Sequence, residues 1–263
     1  MIDLHNHILP SVDDGAADIE ESVEIARQFA SEGVSLIAAT PHLDPEHGGG
    51  PAAEVVRGLV TQVQTAVDAA GIELKIVPGQ EIFLTPELPD LLEQGVAQSL
   101  GDGKAVLVEL FLGAGERPLY LDDTLFRLQL AGHFPVLAHP ERYPFMQRHP
   151  ELAEPLVNRG VVLQLTAPSL LGLYGAQVRQ TAERLLLRGL YCVGASDRHH
   201  PGRERSLADM HARIADLTDA STADLLLRTN PGRVLEGLEP ERPAPGPAGE
   251  RSVLGRILGR QGA

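Results

Sequence analysis

Cysteine occurs once in the 263 residues, at Cys192. A single thiol excludes an intrachain disulfide and a Cys-rich zinc module. Its segment, LYCVGAS, is an apolar strand-like run in which a buried, inert thiol is expected. Basic residues are also scarce, 22 Lys and Arg against 36 Asp and Glu, for a formal net charge of −14. Such a surface repels nucleic acid in the absence of a local basic patch, and aromatics at 4% offer no basic, aromatic-rich groove. No apolar run approaches the roughly 20 residues that span a bilayer. MIDLHNHILP lacks the basic flank and small-residue cleavage site of a secretory signal, so the cytoplasm is the expected compartment.

What is present is an ordinary globular composition, 43% hydrophobic and 22% charged. Strand-like runs near 2–5, 35–40, 73–78, 105–109, 135–138, 161–165 and 191–195 alternate with helical patterns near 18–32, 51–70, 118–132, 148–159 and 175–189. Asp18 is placed as a first-turn acid, and Gly33, Gly71, Gly132, Gly160 and Gly189 as helix stops. Alternation with short connections predicts an α/β fold with a parallel sheet, and seven such units predict a barrel closed on itself. The segments 85–103 and 196–235 are less regular, with helices expected near 206–217 and 221–228. The spacing therefore predicts one domain over 1–238 and a flexible Pro/Gly/Ala-rich tail over 239–263. In that tail Val253, Leu254, Ile257 and Leu258 could share a helical face, although two interior glycines favour a disordered end.

Five histidines and four acids carry the chemistry: His5, His7, Asp14, His42, Glu81, Glu109, His139, Asp197 and His199. Most lie at or just past the end of an apolar run, in MIDLHNH, SLIAATPH, KIVPGQE, AVLVEL, FPVLAHPE and YCVGASDRH. Strand–helix enzymes place their chemistry at the carboxyl ends of the strands, so the repetition predicts one multi-metal site. His5 and His7 alternate about Asn6, which turns both imidazoles to one side, and each neutral ring needs a further acceptor to orient it. Asp197 and His199 repeat that spacing. Glu81 has two oxygens with which to bridge cations, and Glu109 ends an apolar strand where a bare acid is costly. Taken singly, His42 and His139, each beside a proline, also read as capping or hydrogen-bonded strand-end residues, and Asp14 competes with Asp13.

Four carboxylates crowded without cations repel one another and raise one another's pKa, so metal should stabilise the fold. Three divalent ions would leave the site net cationic by about two units and attract an oxyanion such as a phosphate ester. Oxygen-rich ligation beside imidazole suits manganese, iron or magnesium at least as well as zinc. Arginine matches phosphate oxygens with two N–H groups, and Arg142 in HPERY and Arg203 in HHPGRER stand beside the ligand motifs, with Arg205 a rival. Arg198 alternates away from Asp197 and His199 and reads as structural. His47, His133, His149, His200 and His211 read as surface or helix-end residues, His200 being the strongest exception.

The segments DLHNHILPSVDDGA, ATPHLDP, PGQEI, HPERY, LTAPSLLGLYG with LLLRGL, and ASDRHH followed by GR resemble the polymerase and histidinol phosphatase (PHP) superfamily. More narrowly, they are similar to its CpsB-like bacterial tyrosine phosphatases of capsule and exopolysaccharide synthesis, over residues 1 to 237. The resemblance implies a distorted TIM-like (β/α)7 barrel and three divalent ions, manganese first. It implies His5, His7, Glu81 and Asp197 around one ion, Glu81, Glu109 and His139 around a second, and Asp14, His42 and His199 around a third. Arg142 and Arg203 would grip the phosphate. The implied substrate is phosphotyrosine on a protein, such as the tail of a bacterial tyrosine kinase, with a histidinol-phosphate-type small-molecule phosphatase or a PHP nuclease as alternatives. With no Cys-x5-Arg loop in the chain, that hydrolysis would be cysteine-independent. Arg198 and His200 depart from the usual pattern, and the loop before Arg203 is one residue shorter.

Overall fold

Strand runs that are apolar without alternation imply burial on both faces, as in parallel sheets covered by helices. The computed structural model describes residues 1–113, 115–202 and 206–246. Among them are nine strands: β1 (Ile2–Asn6), β2 (Leu36–Ala39), β3 (His42–Leu43), β4 (Lys75–Pro78), β5 (Glu81–Phe83), β6 (Ala105–Glu109), β7 (Phe134–Ala138), β8 (Val162–Thr166) and β9 (Tyr191–Ala195). All pair in parallel, in a three-stranded sheet ordered β1-β2-β4 and a six-stranded sheet ordered β3-β5-β6-β7-β8-β9.

The single closed sheet expected from seven units is therefore divided. The runs near 35–40 and 73–78 each continue as a second short strand, β3 and β5, that pairs in the other sheet. Pro41, between β2 and β3, has no N–H to donate and interrupts the ladder. At the far seam Asp197 N donates to His5 O (2.8 Å) and His7 N to Arg198 O (2.8 Å), which ties the end of β1 to the segment after β9.

Eleven α-helices connect the strands among the described residues: α1 (Ile19–Ser31), α2 (Ala53–Ala69), α3 (Leu88–Glu93), α4 (Leu121–Leu130), α5 (Pro144–Arg148), α6 (Ala153–Asn158), α7 (Ala167–Leu171), α8 (Ala176–Leu187), α9 (Leu207–Leu217), α10 (Ala220–Asp224) and α11 (Asn230–Leu235). Asp18 precedes α1 and accepts from Glu21 N at 2.9 Å, an N-cap rather than a first-turn acid. The five glycine stops all have positive φ, from 65° to 86°. The helix expected over 148–159 shortens to α6, because Pro150 lies inside that window. Conversely, α11 was hidden by Pro231, which a helix tolerates in its first turn.

Strand faces separate two apolar cores. Ile37, Val106, Val108, Leu137, Leu163 and Leu165 pack with the helices, while Leu4, Ala38, Ala105, Leu107, Val136, Ala138 and Val162 form a smaller cluster. Glu109 continues the face of Ala105 and Leu107, so strand periodicity alone delivers its carboxylate to the end of the smaller core. Cys192 belongs to that core, and burial pushes its thiol up to about 11. The first residues of the expected tail, 239–246, lie along the body: Asn230 Nδ2 donates to Glu241 O (2.7 Å), Arg242 Nε to Gly189 O (3.0 Å), and Gly246 N to Leu187 O (2.9 Å). The apolar face expected over 253–258 lies outside the described residues.

Candidate metal centre

All nine candidate ligands meet in one cluster at or beyond the carboxyl ends of β1, β2, β4, β6, β7 and β9, and Glu81 is its hub. His5 Nε2 is 3.0 Å from Glu81 Oε2 and 3.5 Å from Asp197 Oδ1, and His7 Nε2 is 3.4 and 3.7 Å from the same oxygens. His139 Nε2 approaches Glu81 Oε1 at 2.8 Å. His42 Nδ1 lies 3.2 Å from Glu81 Oε2 and 3.0 Å from Glu109 Oε1, while its Nε2 is 3.6 Å from Asp14 Oδ1. His199 Nε2 reaches the same Asp14 oxygen at 3.3 Å, and its Nδ1 is 3.6 Å from Asp197 Oδ1.

Three sets of ligand atoms lie within 4.8 Å of one another: His5, His7 and Glu81; His42, Glu81 and Glu109; His7, Asp14, His42 and His199. His42 and His7 each enter two sets, which the separate assignments implied by the resemblance did not provide for. These donors fit divalent cations. His5 Nε2 and His7 Nε2 are buried without a hydrogen bond although carboxylates stand beside them, an arrangement that suits a shared cation better than a proton.

The outer nitrogens are held. Gln164 Oε1 meets His5 Nδ1 at 3.0 Å, and Asp13 Oδ2 meets His7 Nδ1 at 2.7 Å. Asp13 also accepts from His42 N (3.1 Å) and from Gly15 N (2.9 Å), so it orients the ligands while Asp14 faces the cleft. Sequence reasoning left Asp13 as a rival to Asp14 and overlooked Gln164. The available signal was one polar residue inside the apolar run VVLQL.

A close approach makes this loop depend on glycine. A Cβ on Gly15 would lie 2.1 Å from His7 O and 2.5 Å from His7 Cβ. Gly15→Ala is expected to cost about 1–3 kcal/mol through overpacking. That would lower the melting temperature by roughly 2–12 °C, and calorimetric titration should show weakened metal uptake. An unchanged melting curve with unchanged uptake would mean that the loop gives way freely.

Electrostatically, the crowded acids favour the charged form of the imidazoles beside them. Burial opposes charge on His7, yet the hydrogen bond to Asp13 and the neighbouring Glu81 carboxylate hold its imidazole well above the ordinary range. Burial likewise opposes charge on His42, but the Glu109 hydrogen bond and the Glu81 charge bring it to about 9. Glu81 is desolvated too, and the charge of His5, the hydrogen bond with His139 and the adjacent His7 ring keep it well below the usual carboxylate range.

Arg142 ends the short turn after β7. Its Nη1 donates to Asp197 Oδ2 at 3.2 Å, and its guanidinium lies 4.3 Å from the centre of the Tyr174 ring. The preceding Glu141 is fully buried and satisfied by Thr166 N (3.1 Å), Thr166 Oγ1 (2.9 Å) and the Tyr191 hydroxyl (2.8 Å), which anchors the turn to β8 and β9. Arg203 and its rival Arg205 lie outside the described residues. Arg198 is buried, donates to Glu32 Oε1 at 2.5 Å and stacks on Phe29. His200 lines the cleft and meets Glu21 Oε1 at 2.9 Å. His47 and His149 are exposed, meeting Asp44 (2.8 Å) and Glu151 (3.2 Å), and His211 meets Asp224 at 3.1 Å. The cleft encloses about 480 Å³ and is lined by Asp14, His42, Glu81, Glu109, Leu112, His139, Arg142, Tyr174, Asp197, His199 and His200. That volume accepts a side chain or small ligand rather than a folded surface.

Residues 1–236 match the family described as capsular polysaccharide synthesis, CpsB/CapC. The chain is 34% identical over 260 residues to the tyrosine-protein phosphatase YwqE of Bacillus subtilis (strain 168), covering 97% of this chain and 99% of that protein. It is 32% identical over 200 residues to the putative tyrosine-protein phosphatase CapC of Staphylococcus aureus, covering 76% and 77%. A chain from the solved structures of YwqE from Bacillus subtilis and CpsB from Streptococcus pneumoniae, described as unique metal-dependent tyrosine phosphatases, superimposes with a TM-score of 0.87 at 32% identity over 94% of this chain and 99% of that one. A lactonase from Listeria monocytogenes, 14% identical with a TM-score of 0.58 over 88% and 93%, shares the fold alone. With the match spanning the strands and every strand end that carries a candidate ligand, the chain belongs to the CpsB/CapC family of capsular polysaccharide synthesis.

Proposed function

We propose that this chain is a metal-dependent, cysteine-independent phosphatase of the PHP type that hydrolyses phosphotyrosine on proteins. The observation that carries the reading is the convergence of five imidazoles and four carboxylates in one cluster around Glu81, itself one of the four, with buried His5 Nε2 and His7 Nε2 lacking hydrogen bonds. Support for the substrate comes from relatives that are named tyrosine-protein phosphatases. His5, His7, Glu81 and Asp197 would hold one ion, Glu81, Glu109 and His139 a second, and Asp14, His42 and His199 a third, with manganese the proposed metal. The two sheets, hydrogen-bonded between β1 and the segment after β9 and joined elsewhere by the chain running from β2 into β3 and from β4 into β5, are read as one distorted seven-unit barrel whose residues 1–238 form the catalytic domain.

Bound divalent cations would acidify water and neutralise phosphoryl charge. The chain's own residues do the rest. Asp13 and Gln164 fix the outer nitrogens of His7 and His5, so both rings present Nε2 inward. Asp197 tethers Arg142 at the cleft, where the guanidinium can grip phosphate oxygens with two N–H groups; Arg203 is proposed as its companion. A phenol, with a pKa near 10, leaves without a strong general acid.

The proposed partner is a bacterial tyrosine kinase tail in the cytoplasm. No helix among the described residues is long and apolar enough to cross a membrane. The test compares a phosphotyrosine peptide with histidinol phosphate in manganese buffer. A preference of about 100-fold in kcat/KM for the peptide is expected, and equal or reversed turnover would move the enzyme to the small-molecule branch.

A further inference from the structure

Nine of the eleven residues that line the cleft are histidine, aspartate, glutamate or arginine; the other two are Leu112 and Tyr174. On the phosphatase reading, Arg142 and the cations that the acids and imidazoles would bind hold the phosphate, but the group that carries it must lie against something else. An alkyl chain and an aromatic ring differ in what they ask of that wall. A ring gains from an apolar or aromatic face, whereas a short polar alkyl group gains little.

Tyr174 is built into the wall by its turn. It lies between α7 and α8, in the sequence LLGLYG, with Gly172 at φ 88° and Gly175 at φ 90°. Both are left-handed positions that a side chain adopts only under strain. The turn is closed by Leu173 N donating to Pro168 O (2.8 Å) and Gly175 N to Gly172 O (3.1 Å). At its other end α7 is fixed by the Ser169 hydroxyl, 2.8 Å from the Thr166 hydroxyl, which itself donates to Glu141. Glu141 precedes Arg142, and Arg142 in turn stacks on Tyr174. The circuit from Arg142 through Glu141, Thr166 and α7 back to Tyr174 leaves the ring a defined place beside the phosphate-binding guanidinium.

We infer that Tyr174 is a specificity-determining residue: its ring, held against Arg142, forms the wall that receives the aromatic leaving group and favours aryl over alkyl phosphates. The inference rests on the phosphatase reading and names a determinant of its substrate class. The part of Tyr174 that this role uses is the ring that stacks on Arg142. Tyr174→Phe therefore keeps the wall and the stack, and Tyr174→Ala removes both.

The experiment uses non-hydrolysable probes, benzylphosphonate and methylphosphonate, titrated calorimetrically into the manganese-loaded full chain. The wild type is expected to prefer benzylphosphonate by about ten-fold or more, Tyr174→Phe to keep that preference within about two-fold, and Tyr174→Ala to lose about ten-fold of it. In turnover, Tyr174→Ala should raise KM for an aryl phosphate more than for an alkyl phosphate, with kcat less affected. Equal preference in the wild type and Tyr174→Ala, or a Phe variant as impaired as the Ala variant, would overturn the assignment while leaving the phosphatase reading intact. Failure of the wild type to bind either phosphonate would overturn both.

Discussion

Glu81→Ala should reduce turnover of a phosphotyrosine peptide by about a thousand-fold or more in metal-replete buffer while leaving a folded protein. The size follows from the position of the side chain. Its two oxygens stand within 3.4 Å of nitrogens from His5, His7, His42 and His139, so no other residue can replace its charge at all four. Glu81→Gln, which keeps the shape and halves the acceptor capacity, should be nearly as inactive. His7→Ala should behave alike, because His7 belongs to two of the three ligand sets. The fold should survive, since the apolar core between strands and helices does not include these side chains. Turnover, circular dichroism and metal content by mass spectrometry decide the matter. Near-normal turnover of Glu81→Ala at saturating manganese would remove the metal centre as the seat of the chemistry.

Chelation is the second large effect. Stripping metal should abolish activity, and manganese should restore it. Saturation at about 100 times Kd stabilises the folded state by roughly 2.7 kcal/mol, or about 5–11 °C in melting temperature for a chain of this size. The increment should depend on pH in a defined direction. His42 titrates near 9 in the metal-free fold against 6.5 when unperturbed. A raised pKa contributes stability that is complete below 6.5 and is lost as pH rises through 9. Over the same window protons cease to compete for the imidazole, so manganese binds more tightly. The metal-free protein therefore weakens, the loaded protein holds, and the melting increment grows from pH 6.5 to 9. A flat or shrinking increment would show that cations do not displace protons at this cluster.

The alternation of apolar runs and helical stretches was sufficient to read an α/β chain with parallel strands, because burial on both faces forces continuous Val, Leu, Ile and Ala. The same pattern singled out nine acids and imidazoles at strand ends, and the structure brings these side chains into one cluster. What it could not supply was the third dimension. The exchange of strands at Pro41, which splits one expected sheet into two, depends on which neighbour each short strand meets. Asp13 and Asp14 are adjacent and chemically identical; only the turn at Gly15, pressed against His7, sends one to orient an imidazole and the other toward the cleft. Gln164 and Tyr174 are distant in sequence from His5 and Arg142, and a pattern with period two or 3.6 carries no information about such pairs. Sequence thus determined which residues must be buried and which can bind, through local periodicity and chemistry, while tertiary packing alone decided which nitrogen meets which oxygen.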